Sequence, residues 1–147
     1  MTANTHEPEF AEAFAKAARW LVGVPFRLHG RDPRTGLDCV GVLASAGAAA
    51  GAAWTLPSGY ALRHARVPDL DGLAAGLGFV PASGTARCGD VLALRPGPGQ
   101  VHFAIATAGQ RFVHAHAGLG RVVEGRLPES WPRLFHWRPA RPRQSEG

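Results

Sequence analysis

The first part of the chain spaces its apolar side chains at the period of an α-helix. From Pro8 to Val22 an apolar residue returns every three or four positions, which places these residues on one helical face. This face consists of Phe10, Phe14, Ala17, Ala18 and Leu21. Gly23 and Pro25 follow, and both are typical of a helix end. The pattern predicts an amphipathic helix from Pro8 to Val22.

A second helix is predicted from a run of small apolar residues, Val40–Ala46, which is typical of a buried helix. The preceding residues, Arg27–Gly36, are polar and marked by glycine and proline, so they predict a loop. A turn-rich stretch follows from Trp54 to Pro68, and a short helical segment is predicted around Leu70–Leu77.

The second half of the chain changes to a period of two, which predicts β-strands separated by glycine and proline. The predicted strands are Asp90–Leu94, Val101–Thr107, Gln110–His116, Arg121–Glu124 and Arg133–Arg138. Helices first and strands second predict an α+β fold, with N-terminal helices packed on a C-terminal antiparallel β-sheet. We expect one domain over residues 1–138 and a disordered tail over residues 139–147.

Composition narrows the range of partners. The 147 residues carry a net charge of +5, and Lys16 is the only lysine among 16 basic residues. This balance favours an acidic partner, and a carboxylate-rich polymer such as peptidoglycan suits arginine. The arginines are scattered and are not interleaved with aromatic residues, so we expect no nucleic-acid interface.

The chain shows neither a membrane span nor an export signal. Its longest uncharged stretch, Cys39–Leu62, is mostly alanine and glycine and is broken by Pro57. Such a stretch is too weakly apolar to span ~30 Å of hydrocarbon. The first ten residues include Glu7 and Glu9 and no apolar core, so they do not form a secretory signal. We therefore expect synthesis in the cytoplasm without a signal peptide, and no membrane partner.

The two cysteines, Cys39 and Cys88, are too few for a disulfide framework, and no Cys-x-x-Cys pair indicates a zinc ribbon. A single bridge between them stays open on sequence grounds. Cys88 otherwise has the pattern of a structural or half-exposed thiol.

A hairpin joins the predicted strands 101–107 and 110–116. A three-residue loop, Thr107–Gly109, places Gly109 where this loop class needs a left-handed residue, and it pairs residue 102 with residue 114. A two-residue loop would mix the histidines with the apolar face, which register normally avoids. His102 and His114 are therefore expected directly opposite each other, with Cβ atoms roughly 5 Å apart.

Asp38 is a favourable N-cap before the second helix, which places Cys39 at the first helical position. There the helix dipole stabilises a thiolate, and a nearby imidazolium stabilises it further. A cysteine at a helix start, a strand histidine and a polar residue that orients this histidine form the arrangement of nucleophilic hydrolases. These residues predict Cys39 as nucleophile, His102 as general base and His114 as the orienting residue, with no cofactor and no metal.

Four segments of the chain resemble a known family. They are GLDCVG (36–41), GDV (89–91), HFAIA (102–106) and FVHA (112–115). In this order they resemble the NlpC-type cell-wall peptidases, which are papain-like cysteine hydrolases. The resemblance covers most of the chain, from Trp20 to Trp137.

This resemblance implies a papain-like fold, with Cys39 as nucleophile, His102 as base and His114 as third residue. It also implies hydrolysis of amide bonds in peptidoglycan stem peptides, typically between D-glutamate and a diamino acid. The stretch PFRLHGRDPRTGLDCVG, residues 25–41, is similar to the branch found in phage tails and gene-transfer agents. That branch implies tail proteins as partners and a virion-like particle tail that acts in the periplasm or cell wall.

Three positions depart from the pattern of the family. Val40 stands where serine is common, Phe26 where tyrosine is common, and His29-Gly30 where two glycines are usual. These changes concern substrate preference and oxyanion binding more than the cysteine and the histidines.

Further residues are candidates for substrate contact or support of the site. They are Asp38, Phe26, His29 and His116. His29 is the candidate for a second oxyanion donor, beside a backbone N–H at the helix start. His116 shares the face of His114, so we expect it either to support the site or contact substrate, or else to face solvent. Asp90, His136, Trp131 and Trp137 are expected in turns, at the surface or in core packing.

Two alternatives to the hydrolase stay open. One is a zinc site built from Cys39, His102, His114 and His116, since a thiolate with imidazoles suits Zn²⁺. The other is a structural tail component that keeps the fold without the chemistry.

Overall fold

The two periods of the sequence fold into helices packed on an antiparallel sheet. The computed structural model describes residues 7–57 and 67–140. Its helices are α1 (Glu7–Trp20), α2 (Cys39–Ala49) and α3 (Val67–Gly76). Its strands are β1 (Arg31–Asp32), β2 (Gly36–Leu37), β3 (Phe79–Pro81), β4 (Val91–Leu94), β5 (His102–Ala106), β6 (Phe112–His116), β7 (Arg121–Gly125) and β8 (Arg133–Pro139).

Six of the strands form one sheet in the order β3-β8-β4-β5-β6-β7, and every pairing in it is antiparallel. Strands β1 and β2 form a separate small ladder just before α2. Helices α1 and α2 pack against each other and against strand β5. The predicted α+β fold is thus confirmed, with the helices first and the antiparallel sheet second. No helix of the described ranges is both long and apolar enough to cross a bilayer.

The core between the helices and the sheet is built from the apolar faces that the sequence predicted. Phe14 of α1, Val40 of α2 and Ile105 of β5 are fully buried in it. Burying side chains of this size contributes roughly 1.5–3 kcal/mol each. Gly47 is required in α2, because a Cβ there would overlap the Trp54 ring. The core therefore holds α2, and with it Cys39, at a fixed place on the sheet.

Glycines bring the loop before α2 into close contact with the helix. A Cβ on Gly30 would collide with the Gly36 carbonyl, and a Cβ on Gly41 would collide with the Gly30 carbonyl. The β1–β2 ladder can therefore lie directly against the first turn of α2. The backbone of this ladder thus holds in place the residues on either side of Cys39.

The residues after α1 run along the outer edge of β7. Gly23 N–H donates to the Val122 carbonyl at 2.9 Å, and Val122 N–H donates to the Val24 carbonyl at 2.8 Å. Phe26 N–H then donates to the Gly120 carbonyl at 2.9 Å. This backbone pairing delivers Phe26 to the same end of the sheet as Cys39.

Several boundaries differ from the predictions for local reasons. Helix α1 ends at Trp20 rather than Val22, because Gly23 with φ +96° closes a turn there. The predicted loop 27–36 contains β1 and part of β2, whose two-residue strands are too short to show a period. Strand β3 was not predicted for the same reason.

The first two residues of the predicted tail belong to the fold. Pro139 still pairs with Phe79 in the sheet, and Ala140 N–H donates to the Gly78 carbonyl at 2.8 Å. Residues 141–147 lie outside the described residues, as do residues 58–66 of the predicted turn-rich stretch and residues 1–6.

Candidate active site

Cys39 is the first residue of α2 and is buried, with 6% of its surface exposed. Asp38 precedes it with an extended backbone, and its Oδ1 accepts the Gly41 N–H at 2.9 Å. This is an N-cap bond, so the predicted capping role of Asp38 is confirmed. The cap fixes where the helix begins and places Cys39 at the positive end of its dipole.

The second oxygen of Asp38 binds the preceding loop. Oδ2 accepts the His29 N–H at 2.9 Å, while His29 has φ +65°. The carboxylate is 3% exposed, so its charge is directed into these backbone donors. The side chain of His29 is exposed and lies outside the cleft that contains Cys39. His29, the candidate for a second oxyanion donor, thus contacts the site through its backbone bond to Asp38, and its role as a donor stays a prediction.

An open cleft of about 480 Å³ lies at the start of α2, between the helix and the ends of β5 and β6. The predicted residues that line it are Phe26, Asp38, Cys39, His102, His114 and His116. Of the predicted set, His29 is the one that the structure places elsewhere. The floor is completed by Trp131 and by the loop that carries Gly99 and Gln100.

His102 and His114 meet within this cleft. His102 Nε2 lies 2.9 Å from His114 Nδ1, and the two rings are nearly perpendicular, at 83°. One nitrogen must donate and the other accept, because a single proton lies between them. The expected contact between the two histidines is thus formed.

The register behind this contact differs from the prediction. Ile105 pairs with Val113, and Ala106 with Phe112, so the ladder is displaced by two residues. The three-residue loop is Ala108–Gln110 and not Thr107–Gly109, and both Gly109 and Gln110 have left-handed backbones. A shift by two keeps every side chain on its face. His102 therefore reaches His114 diagonally and not from directly opposite.

Burial lowers the pKa of both histidines. Burial, with smaller contributions from His114 and His116, lowers the pKa of His102 to about 3. Burial and then His116 lower the pKa of His114 to about 4. Both imidazoles are therefore neutral near pH 7, so the bond between them is a hydrogen bond between uncharged rings.

Trp131 lines the cleft beside the two histidines. Its ring centroid lies 5.5 Å from that of His102 and 6.0 Å from that of His114, edge-on in both cases. Trp131 also packs against a buried cluster that includes Leu92 and Phe112, so its predicted place in core closure is confirmed, but its contact with the histidines was not predicted. A single tryptophan in a loop between strands carries no periodic signal that could have revealed it.

His116 lies at the end of β6 and is half-buried in the cleft wall. Its Nδ1 accepts the Leu119 N–H at 3.0 Å, and its ring centroid lies 5.8 Å from that of His114. Of the two expectations for this residue, a place facing the cleft and a place facing solvent, the structure shows the first.

Cys88 lies apart from the cleft and is exposed. Partial desolvation of its thiol, and then the nearby carboxylates of Glu12 and Asp90, raise the pKa of that thiol. It forms no disulfide with Cys39, which excludes the single bridge that the sequence left open.

A second polar cluster surrounds Asp90, which is fully buried. Arg138 donates to it through two nitrogens, at 3.0 and 2.9 Å, and His136 Nε2 lies 2.6 Å from its Oδ2. Burial alone would raise the pKa of Asp90, but the hydrogen bonds from Arg138, the Arg87 backbone and the imidazole hold that pKa below its ordinary value. The sequence predicts a turn residue at 90 and a surface or packing residue at 136, and nothing in it indicates this network.

No group of three or more His, Cys, Asp or Glu side chains within residues 7–57 and 67–140 is arranged to hold a metal ion. The alternative of a zinc site from Cys39 and the three histidines therefore has no support in the geometry.

Known structures share this arrangement of helices and strands. The NlpC/P60 domain of the peptidoglycan hydrolase SagA is 25% identical, with a TM-score of 0.56, over 86% of this chain and 96% of that chain. The P60 domain of an antigen from M. avium subspecies paratuberculosis is 22% identical, with a TM-score of 0.57, over 90% and 96%. NlpC1 from Trichomonas vaginalis is 16% identical, with a TM-score of 0.66, over 95% of this chain, which spans 46% of that protein.

No protein-family model and no curated protein matches the chain. The similarity to solved structures shows the fold, which is the papain-like fold of NlpC/P60 domains. The fold expected from the four motifs is confirmed.

Proposed function

We propose that the protein is a cysteine endopeptidase that hydrolyses amide bonds in peptidoglycan stem peptides. The observation that carries this proposal is the 2.9 Å bond between His102 Nε2 and His114 Nδ1, in the cleft that also contains Cys39 at a helix start. The fold supports it, because the SagA domain with the same fold belongs to a protein named a peptidoglycan hydrolase.

The hydrogen bond between the histidines decides which tautomer of His102 can act as a base. If His102 donates Nε2–H to His114, its lone pair lies on Nδ1 and can accept the thiol proton of Cys39. The reverse arrangement would place the proton on His102 Nδ1 and leave no base there. His114 must therefore present an unprotonated Nδ1, and its lowered pKa keeps the ring neutral, so that one nitrogen is available as an acceptor.

The resting cleft differs in one respect from the expected thiolate–imidazolium pair. Because the pKa of His102 is lowered to about 3, the ring is neutral before substrate enters. His102 then accepts the proton as the Cys39 sulfur attacks, and it acts as a general base in that step. The imidazolium forms only then, and His114 stabilises it by accepting its Nε2–H.

The reaction follows from these positions. Cys39 Sγ attacks the amide carbonyl carbon, and the helix dipole and the Cys39 backbone N–H stabilise the developing oxyanion. His102 returns its proton to the leaving amine as the C–N bond breaks, which gives a thioester. Water then loses a proton to His102 and attacks the thioester, and the C–S bond breaks as His102 returns that proton to the sulfur and restores the thiol.

We assign the scissile bond to the amide between D-glutamate and a diamino acid, as the resemblance in residues 36–41 and 102–115 implies. The similarity of residues 25–41 to tail-associated peptidases supports delivery on a phage-like tail, with action in the periplasm or cell wall. Tail proteins would be the partners in that assembly. Detection of the protein by mass spectrometry in purified tail particles tests this delivery, and its absence from them contradicts it.

The test of the reaction is a digestion of purified Gram-negative peptidoglycan, analysed by mass spectrometry. The native protein is compared with Cys39→Ala and with Cys88→Ala. The second variant removes the cysteine that lies outside the cleft. We expect new stem-peptide fragments from the native protein and from Cys88→Ala, and none from Cys39→Ala. Fragment masses identify the bond. Fragments from all three proteins would exclude Cys39 as nucleophile, and fragments from none would contradict the hydrolase.

A further inference from the structure

The turn between β6 and β7 brings together two nitrogen donors, of which His116 lines the cleft and Arg121 lies just outside its lining. His116 pairs directly with Arg121 across the ladder. Directly opposed residues in an antiparallel pair place their side chains on the same face of the sheet. An imidazole and a guanidinium are therefore neighbours on the face that carries His102 and His114.

The turn itself fixes the ring of His116. Because Nδ1 accepts the Leu119 N–H at 3.0 Å, the neutral ring carries its proton on Nε2. The backbone also packs against this ring, since a Cβ on Gly118 would lie 3.1 Å from His116 Cε1. The polar group that His116 can offer to a molecule in the cleft is thus the Nε2–H donor.

Arg121 is exposed at the position opposite His116 in the ladder, and its Nη1 donates to the Leu119 carbonyl of the same turn at 3.4 Å. Its long side chain can reach from there toward the mouth of the cleft. The described lining of the cleft includes a single carboxylate, that of Asp38. Both Asp38 oxygens accept backbone N–H groups, from Gly41 and from His29. No carboxylate of the described lining is therefore directed into the cleft, where it would repel an anionic substrate group.

The substrate of the proposed reaction has an anion at a matching position. A glutamyl residue has two carboxyl groups, and whichever one forms the scissile amide, the other remains a few bonds away. Resting on the proposed function, we infer that His116 and Arg121 bind this second carboxylate and make the enzyme selective for glutamyl residues that carry it. Both side chains are donors, so they match two carboxylate oxygens, whereas a carboxamide presents one acceptor and an unmatched NH₂ group.

The inference is tested with two muropeptides that differ in one group, the free carboxylate of glutamate or its carboxamide. The ratio of their kcat/KM values is measured for the native protein, His116→Ala, His116→Gln and Arg121→Gln. Arg126→Gln is the matched control, because Arg126 follows the far end of β7 and its loss changes the net charge equally. The ratio within one variant is insensitive to the fraction of that variant that is folded.

We expect the native protein to prefer the carboxylate form by about 10-fold or more, as a charge-assisted contact implies. His116→Ala and Arg121→Gln should each reduce this preference to about 3-fold or less, mainly through KM. His116→Gln should restore part of it, and Arg126→Gln should leave it unchanged. Cleavage of both muropeptides with equal efficiency, or a preference that survives in His116→Ala and Arg121→Gln, would overturn this inference while leaving the hydrolase intact. Cleavage of neither by the native protein would instead contradict the proposed function.

Discussion

Two polar clusters occupy the same face of the six-stranded sheet, at opposite ends of β5. At one end, His102 begins the strand and contacts His114 in an open cleft. At the other end, the Ala106 N–H donates to the Asp90 carbonyl at 2.8 Å, and the Asp90 carboxylate is sealed against Arg138 and His136. About 13 Å of strand separates the two ends.

The clusters differ in charge and in exposure. The first consists of two imidazoles whose pKa values lie below the ordinary one, so it is neutral and can accept a proton. The second contains a fully buried carboxylate whose pKa is also lowered, because cationic and backbone donors surround it. A cluster suited to proton transfer is thus neutral and open, while one suited to joining strands is charged and closed.

The largest difference is expected from His102→Ala. Loss of the general base should lower kcat/KM for peptidoglycan by about 10³-fold, within the range of acid–base catalysis. The free energy of unfolding should change by less than ~1 kcal/mol, because the ring forms no charged pair. Steady-state kinetics and urea unfolding measure the two effects. If His102→Ala lost stability but kept its activity per folded molecule, the histidine cluster would serve stability and not catalysis, which would contradict this comparison.

Asp90→Asn should have the opposite profile. It removes the negative charge that Arg138 and His136 surround, and breaking a buried pair of this kind costs about 3 kcal/mol. Denaturant unfolding should show this loss, while kcat/KM per folded molecule stays within about two-fold. Asp69→Asn, at an exposed acidic position in the first turn of α3, is the control and should lower stability by less than ~1 kcal/mol, as for an exposed charge at a helix start. A fall in catalysis without a fall in stability would show that Asp90 acts on the cleft.

The smallest effect is a difference in pH dependence. The unfolded chain binds protons on His102 and His114 near pH 6.5, whereas in the folded chain their pKa values are about 3 and about 4. Their contribution to stability is therefore complete above about pH 7 and is lost as the pH falls toward their folded pKa values, by about 2 kcal/mol per histidine at pH 5. Asp90 adds its own loss only below about pH 4. Unfolding measured from pH 7 to 5 should show a shallower slope in His102→Gln, and an unchanged slope would contradict the lowered pKa values.

Much of the fold was predictable because its elements repeat a pattern over many residues. The apolar face of α1 and the alternation in β4 to β8 span enough positions to show their periods. Strands β1 and β3 have only two and three residues, which is too short to show a period. Strand β3 also pairs with β8, a partner distant in sequence, whereas β1 pairs locally with β2. No local pattern could have indicated them.

The candidate site divides in the same way. Asp38 and Cys39 are adjacent in sequence, so the cap and the helix start could be predicted from local chemistry. The contact of His102 with His114 survived an error in register because the shift was even. The position of Trp131 has no local signal in the sequence. The Asp90 network depends on side chains from distant parts of the chain, since Asp90 and Arg138 are 48 residues apart.

The backbone of residues 23–26 has a consequence for behaviour at high concentration. Without it, β7 would present a row of open N–H and C=O groups, which is a template for strand addition by another chain. Hydrogen bonds to Val122 and Gly120 occupy that row. The opposite edge strand, β3, is three residues long and ends in Pro81, which cannot donate to a further strand. The fold therefore protects both margins of its sheet against aggregation, and one of these protections is also the segment that carries Phe26 into the cleft.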